Sequence, residues 1–218
     1  MALFRDRFHA GQVLAEKVRK YAGSPALLVL GLPRGGVPVA SEVAKALRAP
    51  LDVFIVRKLG VPGHTELAMG AIASGGVRVL NEEVVQSLNI PDSVIDQVAA
   101  QEQRELERRE IVYRGKRPAH AIEGRTLILI DDGLATGASM RAAVVALRKR
   151  EPRHIIVAVP TAALDTCATF ENQVDEIICA ATPEPFVAVG RWYEDFSQTT
   201  DEEVREILEQ AETWVVQE

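Results

Sequence analysis

Five short runs along this chain are predominantly apolar: residues 26–32, 51–56, 126–130, 154–160 and 176–180. A strand that is apolar on both faces needs cover on both faces, whereas an antiparallel sheet commonly leaves one face to water. Helical periodicity fills the intervals. Residues 8–22 place Val13, Leu14, Val18 and Tyr21 at helical spacing, and stretches 37–47 and 140–149 follow two of the strands directly. Strands alternating with helices in this way predict an α/β fold with a doubly wound, mainly parallel sheet.

A length of 218 residues, 47% hydrophobic and 26% charged, suits one domain over 1–218. Two pieces stand outside the strand–helix alternation and are candidates for a small hood. One is a helical insertion over 81–123, interrupted at Pro91-Asp92-Ser93 and stopped at Gly115. The other is the tail 183–218, with Phe186, Trp192, Tyr193 and Phe196 ahead of an acidic helix. Residues 59–76 are rich in glycine and read as loop, with Val77–Leu80 closing a hairpin. The alternating charges of 101–110 mark a solvated face.

A net charge of −6 argues against a nucleic-acid partner. No apolar run reaches the roughly 20 residues of a membrane span, and no apolar leader follows the first charged residues, so a cytoplasmic protein is expected. Cys167 and Cys179 lack metal-ligand spacing and are expected as two buried thiols.

The chemistry concentrates at 130–139. A buried strand ends at Ile130, two carboxylates follow at Asp131 and Asp132, and a turn through Gly133-Leu134-Ala135-Thr136-Gly137 enters a helix at Ala138-Ser139. Unpartnered N–H groups at a helix start, with the Thr136 and Ser139 hydroxyls, suit a phosphate monoester. Carboxylates repel phosphate but accept from sugar hydroxyls, so this order matches the diol and 5′-phosphate of one ribose. A Walker loop is excluded because no lysine follows the turn, and no GxGxxG opens a helix.

Residues 127–139 (Leu-Ile-Leu-Ile-Asp-Asp-Gly-Leu-Ala-Thr-Gly-Ala-Ser) resemble the thirteen-residue signature of type I phosphoribosyltransferases. Residues 30–36, ending Pro33-Arg34-Gly35-Gly36, resemble that family's pyrophosphate loop, and Arg57-Lys58 its basic pair before a flexible catalytic loop. The opening 4–14, stretch 57–62 and stretch 190–198 are similar to a bacterial subgroup of uncharacterised members, whose acceptor is not identified by that resemblance.

The resemblance implies transfer of 5-phosphoribosyl from phosphoribosyl pyrophosphate (PRPP) to a nitrogenous acceptor such as a nucleobase, with Mg²⁺ as cofactor. It implies that Asp131 and Asp132 bind the ribose hydroxyls, and Mg²⁺ through water, and that Ala135, Thr136, Gly137, Ala138 and Ser139 hold the 5′-phosphate. Arg34, Gly35 and Gly36 would bind pyrophosphate, with Arg57 and Lys58 neutralising it; the plain alternative for that pair is two solvated cations. Phe186, Trp192 or Tyr193 would stack on the acceptor, although such aromatics also serve simply as core.

Ala135 stands where several purine enzymes of the family carry an Asp, and 59–76 lacks the usual catalytic-loop signatures. His64 and Glu66 are general acid or base candidates there if the loop closes over substrate; the favoured plain alternative is a turn histidine and a solvated glutamate. A PRPP-binding sensor without transferase activity, and hydrolysis of PRPP by water, are the rival readings. Family members often form dimers, so a homodimer is compatible with the resemblance.

Overall fold

The computed structural model describes residues 2–215. Helix α1 (Arg7–Val18) and a 3₁₀ turn precede strand β1 (Leu27–Gly31), α2 (Gly36–Leu47) and β2 (Leu51–Val53). Next come β3 (Val56–Val61), β4 (His64–Ala73) and β5 (Val77–Leu80), then α3 (Glu82–Ser87) and α4 (Asp92–Arg114). The chain continues through β6 (Thr126–Ile130), α5 (Ala138–Arg148), β7 (His154–Thr161), α6 (Leu164–Phe170) and β8 (Glu176–Ala181). A 3₁₀ turn over Val189–Trp192 leads to α7 (Asp201–Val215).

Five strands form one parallel sheet in the order β2-β1-β6-β7-β8. Side chains alternate across it, as the period of two requires. Leu28, Leu30, Leu127, Leu129, Ile155 and Val157 meet α5 and α6 on one face. Val29, Ile128, Ile130 and Ile156 meet α1, α2, α4 and α7 on the other. Each fully buried Leu or Ile contributes about 1.5–3 kcal/mol relative to exposure, which explains strands that are apolar throughout. This is the doubly wound, mainly parallel sheet that the sequence predicts.

The expectation of a loop over 59–76 is corrected. β3, β4 and β5 form a separate three-stranded antiparallel sheet. The glycines that suggest loop mark a register shift at Gly60 and two tight turns, at Gly63 and at Gly75-Gly76. Small residues along β4 hid its alternation. Arg57 and Lys58 accordingly lie within β3, not at the end of a core strand. The expected hairpin at Val77–Leu80 is present as β5.

The expected break and stop of the helical insertion agree with the structure: Pro91 precedes α4 and Gly115 ends it. A buried ion pair ties that end of α4 to edge strand β2. Arg114 donates to Asp52 Oδ1 at 2.8 Å and to the Val53 carbonyl at 2.7 Å. Burial alone would raise the Asp52 pKa, but His120 and Arg114 outweigh it and hold the carboxyl below its ordinary value.

The expectation of two free thiols is also corrected: Cys167 and Cys179 form a disulfide across Cα atoms 6.7 Å apart. Helix α6 folds back along β8 and brings them together, a proximity that their spacing does not reveal. Among the described residues no helix is long and apolar enough to cross a membrane.

Candidate functional site

Strand order reverses between β1 and β6, since the chain runs outward to β2 from one and to β7 and β8 from the other. Open α/β sheets leave a crevice at the carboxyl ends of the two strands flanking such a point. The two loops singled out in the sequence emerge there side by side. Leu32 N–H donates to the Ile130 carbonyl at 2.8 Å, extending the β1–β6 pairing into the loops. A Cβ on Gly36 would stand 2.7 Å from that carbonyl and 2.9 Å from Asp131 Cα. One on Gly35 would collide with the Asp132 carboxylate, 2.8 Å from its Cγ, and stand 3.0 Å from Arg7 Nε. Only glycine permits this approach. The Pro33–Arg34 peptide in the same loop is cis.

The carboxylates occupy an unequal environment. Asp131 Oδ1 accepts from Asp132 N–H at 2.9 Å, and Asp132 Oδ2 accepts from Arg7 Nε at 2.9 Å. Burial, then the neighbouring Asp132 charge, pushes Asp131 well above the usual carboxylate range. Burial also raises Asp132, against the opposing pull of Arg7. Two adjacent acids that lose water this way favour a proton, a cation or hydroxyl donors between them.

Beyond them the loop is pinned by its backbone and left open at its tip. Leu134 N–H donates to the Thr161 carbonyl at 2.9 Å, and its carbonyl accepts from Ala163 N–H at 3.1 Å. Thr166 Oγ1 donates to the Ala135 carbonyl at 2.6 Å, and Arg141 donates to the Thr136 carbonyl. Gly137, at φ +69°, is the N-cap of α5 and has no side chain to cap it. The first N–H groups of α5 and the exposed Thr136 and Ser139 therefore remain available to an anion.

The structure thus brings Gly35, Gly36, Asp131, Asp132 and the start of α5 together. It does not bring Arg57 or Lys58 to them. Arg57 donates to Glu102 of α4 at 2.7 Å, and Lys58 is exposed. Arg34 stands 4.0 Å from Asp201, whose other partner is the Tyr113 hydroxyl at 2.7 Å. Phe186 and Trp192 lie with ring centroids 6.4 Å apart. Tyr193 differs from its expected stacking role. It is 5% exposed, packs between Phe4 and Phe196, and donates its hydroxyl to the Asp132 carbonyl at 2.6 Å. It buttresses the acidic pair from beneath. His64 is exposed at the start of β4, and the side chain of Glu66 lies outside the described residues.

Arg7 is the site residue that the sequence reading missed. One signal was present: a cation in the first turn of α1, with no acid there, opposes the helix dipole. Such a residue is placed for a tertiary partner.

The description "phosphoribosyl transferase domain" belongs to a family model that matches residues 6–179. A Mycobacterium tuberculosis protein, named provisionally as a phosphoribosyl transferase, is 47% identical over 211 residues, covering 97% of this chain and 47% of that protein. The chain therefore spans about half the length of the curated relatives it matches. The crystal structure of TT1426 from Thermus thermophilus aligns with a TM-score of 0.85 at 43% identity, covering 96% of this chain and 99% of that one. A hypothetical protein from Neisseria gonorrhoeae with bound ppGpp shares the fold at a TM-score of 0.50 and 12% identity, over 96% of both chains.

Proposed function

The chain belongs to the phosphoribosyltransferase family, and from that premise we propose that it transfers the 5-phosphoribosyl group of PRPP to a nitrogenous acceptor such as a nucleobase, releasing pyrophosphate. The observation that carries this reading is the interlock at the switch point, where Gly35 and Gly36 meet Asp131 and Asp132 beside an uncapped helix start. In this reading the α5 N-terminus, with Ala135, Thr136, Gly137, Ala138 and Ser139, takes the 5′-phosphate. Asp131 and Asp132 accept from the ribose hydroxyls, and Arg34, Gly35 and Gly36 face the diphosphate.

The C1′–oxygen bond to the diphosphate breaks as the acceptor nitrogen bonds to C1′. Positive charge grows on the ribose ring and negative charge on the leaving group. Carboxylates fixed below the ring and N–H groups around the phosphates stabilise that separation without rearranging. No covalent intermediate with the protein is required.

Mg²⁺ suits the donor set. Among the described residues, one oxygen of each carboxylate has no protein hydrogen-bond partner, which fits a hard cation shared with substrate oxygens. The metal would neutralise charge on the diphosphate. Phe186 and Trp192, past the end of β8, are the candidate acceptor surface.

One observation favours the alternative of a PRPP-binding sensor: Arg57 is bonded to Glu102 rather than directed to the crevice. The deciding experiment measures PRPP consumption and pyrophosphate release with Mg²⁺, against a panel of purine and pyrimidine bases and a control without base. Release that depends on one base is the expected result. Release without base would indicate hydrolysis, and tight PRPP binding with no release would favour the sensor.

A further inference from the structure

Two stretches far apart in sequence close against each other beside the acidic pair. Leu3 and Phe4 N–H both donate to the Trp192 carbonyl at 2.9 Å, Glu194 N–H donates to the Phe4 carbonyl at 2.9 Å, and Asp195 N–H to the Arg5 carbonyl at 2.8 Å. Asp6 then caps α1 by accepting from His9 N–H at 2.8 Å, so the helix begins where this clasp ends. Arg7 is its first residue.

The clasp holds the Arg7 side chain tightly. The guanidinium carbon lies 4.0 Å from the centroid of the Phe196 ring, Nη1 donates to the Ser197 carbonyl at 2.6 Å, and Nε donates to Asp132 at 2.9 Å. Its side chain is 11% exposed. A guanidinium has five N–H donors in a rigid fork. Nη2 makes no hydrogen bond among the described residues. Nε itself lies 3.0 Å from the point a Gly35 Cβ would occupy. Arg7 therefore touches both loops at their junction.

Of the other cations assigned to pyrophosphate, Arg57 is paired with Glu102 at 2.7 Å, Lys58 is exposed on β3, and Arg34 stands 4.0 Å from Asp201. A pyrophosphate brought against two carboxylates needs a cation between them. Resting on the PRPP reading above, we propose that Arg7 is a substrate-binding residue, which presents its remaining N–H edge to the pyrophosphate of PRPP while keeping Asp132 in place. Its fork geometry suits phosphate oxygens. The segment 189–198 is then part of the pyrophosphate subsite's support rather than only an acceptor hood.

Calorimetry on wild type, Arg7→Gln and Arg7→Lys, with PRPP, pyrophosphate and ribose 5-phosphate as separate ligands in Mg²⁺, tests this. Arg7→Gln is expected to weaken PRPP and pyrophosphate roughly 10- to 100-fold, the loss of a charge-assisted hydrogen bond. Ribose 5-phosphate should change by less than about 3-fold on the same reasoning. Arg7→Lys should recover only part of the loss, since an ammonium keeps the charge but not the fork or the stacking. Equal weakening of all three ligands would make Arg7 a strut and overturn the proposal, as would no weakening of any. Should Arg7→Gln not fold, the Arg7 Nε–H resonance of the wild type carries the test: it should shift on adding pyrophosphate, and an unmoved resonance overturns the proposal. Wild-type protein that binds no PRPP would sink the underlying site reading, and this inference with it. Wild-type binding with an indifferent Arg7→Gln sinks only the Arg7 assignment.

Discussion

The sequence singles out the loops after β1 and β6 and, by a looser match, the basic pair Arg57-Lys58, and the fold holds them by different means. The loops are interlocked through backbone, with Leu32 hydrogen-bonded to Ile130 and two glycines admitting the carboxylates at contact distance. Arg57 sits on a β-ribbon and is held by one partly exposed ion pair with Glu102, the two side chains 29% and 19% exposed. Such a pair contributes about 1 kcal/mol or less. Backbone interlock fixes a geometry that no rotamer change can relax. An ion pair of that size sets a preference that a phosphate could redirect.

The contrast is most exposed to test at the acidic pair. Asp131→Asn with Asp132→Asn should weaken PRPP binding by more than about 100-fold while the fold persists, since each lost charged acceptor costs about 1.5–3 kcal/mol. Calorimetry showing wild-type affinity would remove the pair from the site.

Asp52→Asn addresses the anchor beneath the ribbon. It strips a buried arginine of its carboxylate and should lower stability by about 3–5 kcal/mol in urea unfolding. The Asp52 pKa is depressed in the fold, so its contribution is present above the unfolded value near 3.9 and is lost as pH falls through the folded one. The wild type should therefore lose stability on acidification below about pH 4, and the variant should lose less.

Gly35→Ala should displace Asp132 and cost about 1–3 kcal/mol of stability, the range for overpacking a tight site, with a marked loss of PRPP affinity. An unchanged affinity would mean that the two loops are not interlocked in solution. Cys167→Ser with Cys179→Ser removes a closure of 12 residues and should cost about 2–3 kcal/mol in thermal unfolding. PRPP affinity should fall with it only modestly, since Thr166 and Phe170 still brace the loop at Ala135 and Gly137.

The smallest effect is expected on the ribbon. Glu102→Gln should change stability by about 1 kcal/mol or less, yet free Arg57. A rise in PRPP affinity would mark the ribbon as adjustable; a fall would mean that Glu102 positions Arg57 for substrate.

Much of the candidate site was legible because the chain packs its residues locally. Positions 130–139 run through strand, acid pair, turn and helix start without interruption, and each step has its own residue signature. The glycines of 59–76 misled because they punctuate short strands as readily as loops. Two tight turns and a register shift look like flexibility when read one residue at a time. Tyr193 was visible as an aromatic but not as a buttress, since its partner, the Asp132 carbonyl, lies 61 positions away.

By itself the sequence determined the α/β class, the apolar strands of the parallel sheet, and the order of groups along each loop. These follow from periodicities and turn chemistry that act within a dozen residues. The tertiary structure decided which groups meet. It set the strand order that brings Gly35 and Gly36 against Asp131 and Asp132, carried Arg7 across 125 positions to Asp132, and closed the disulfide between α6 and β8. Contacts of that range depend on how buried faces pair across the sheet, and no local pattern records that pairing.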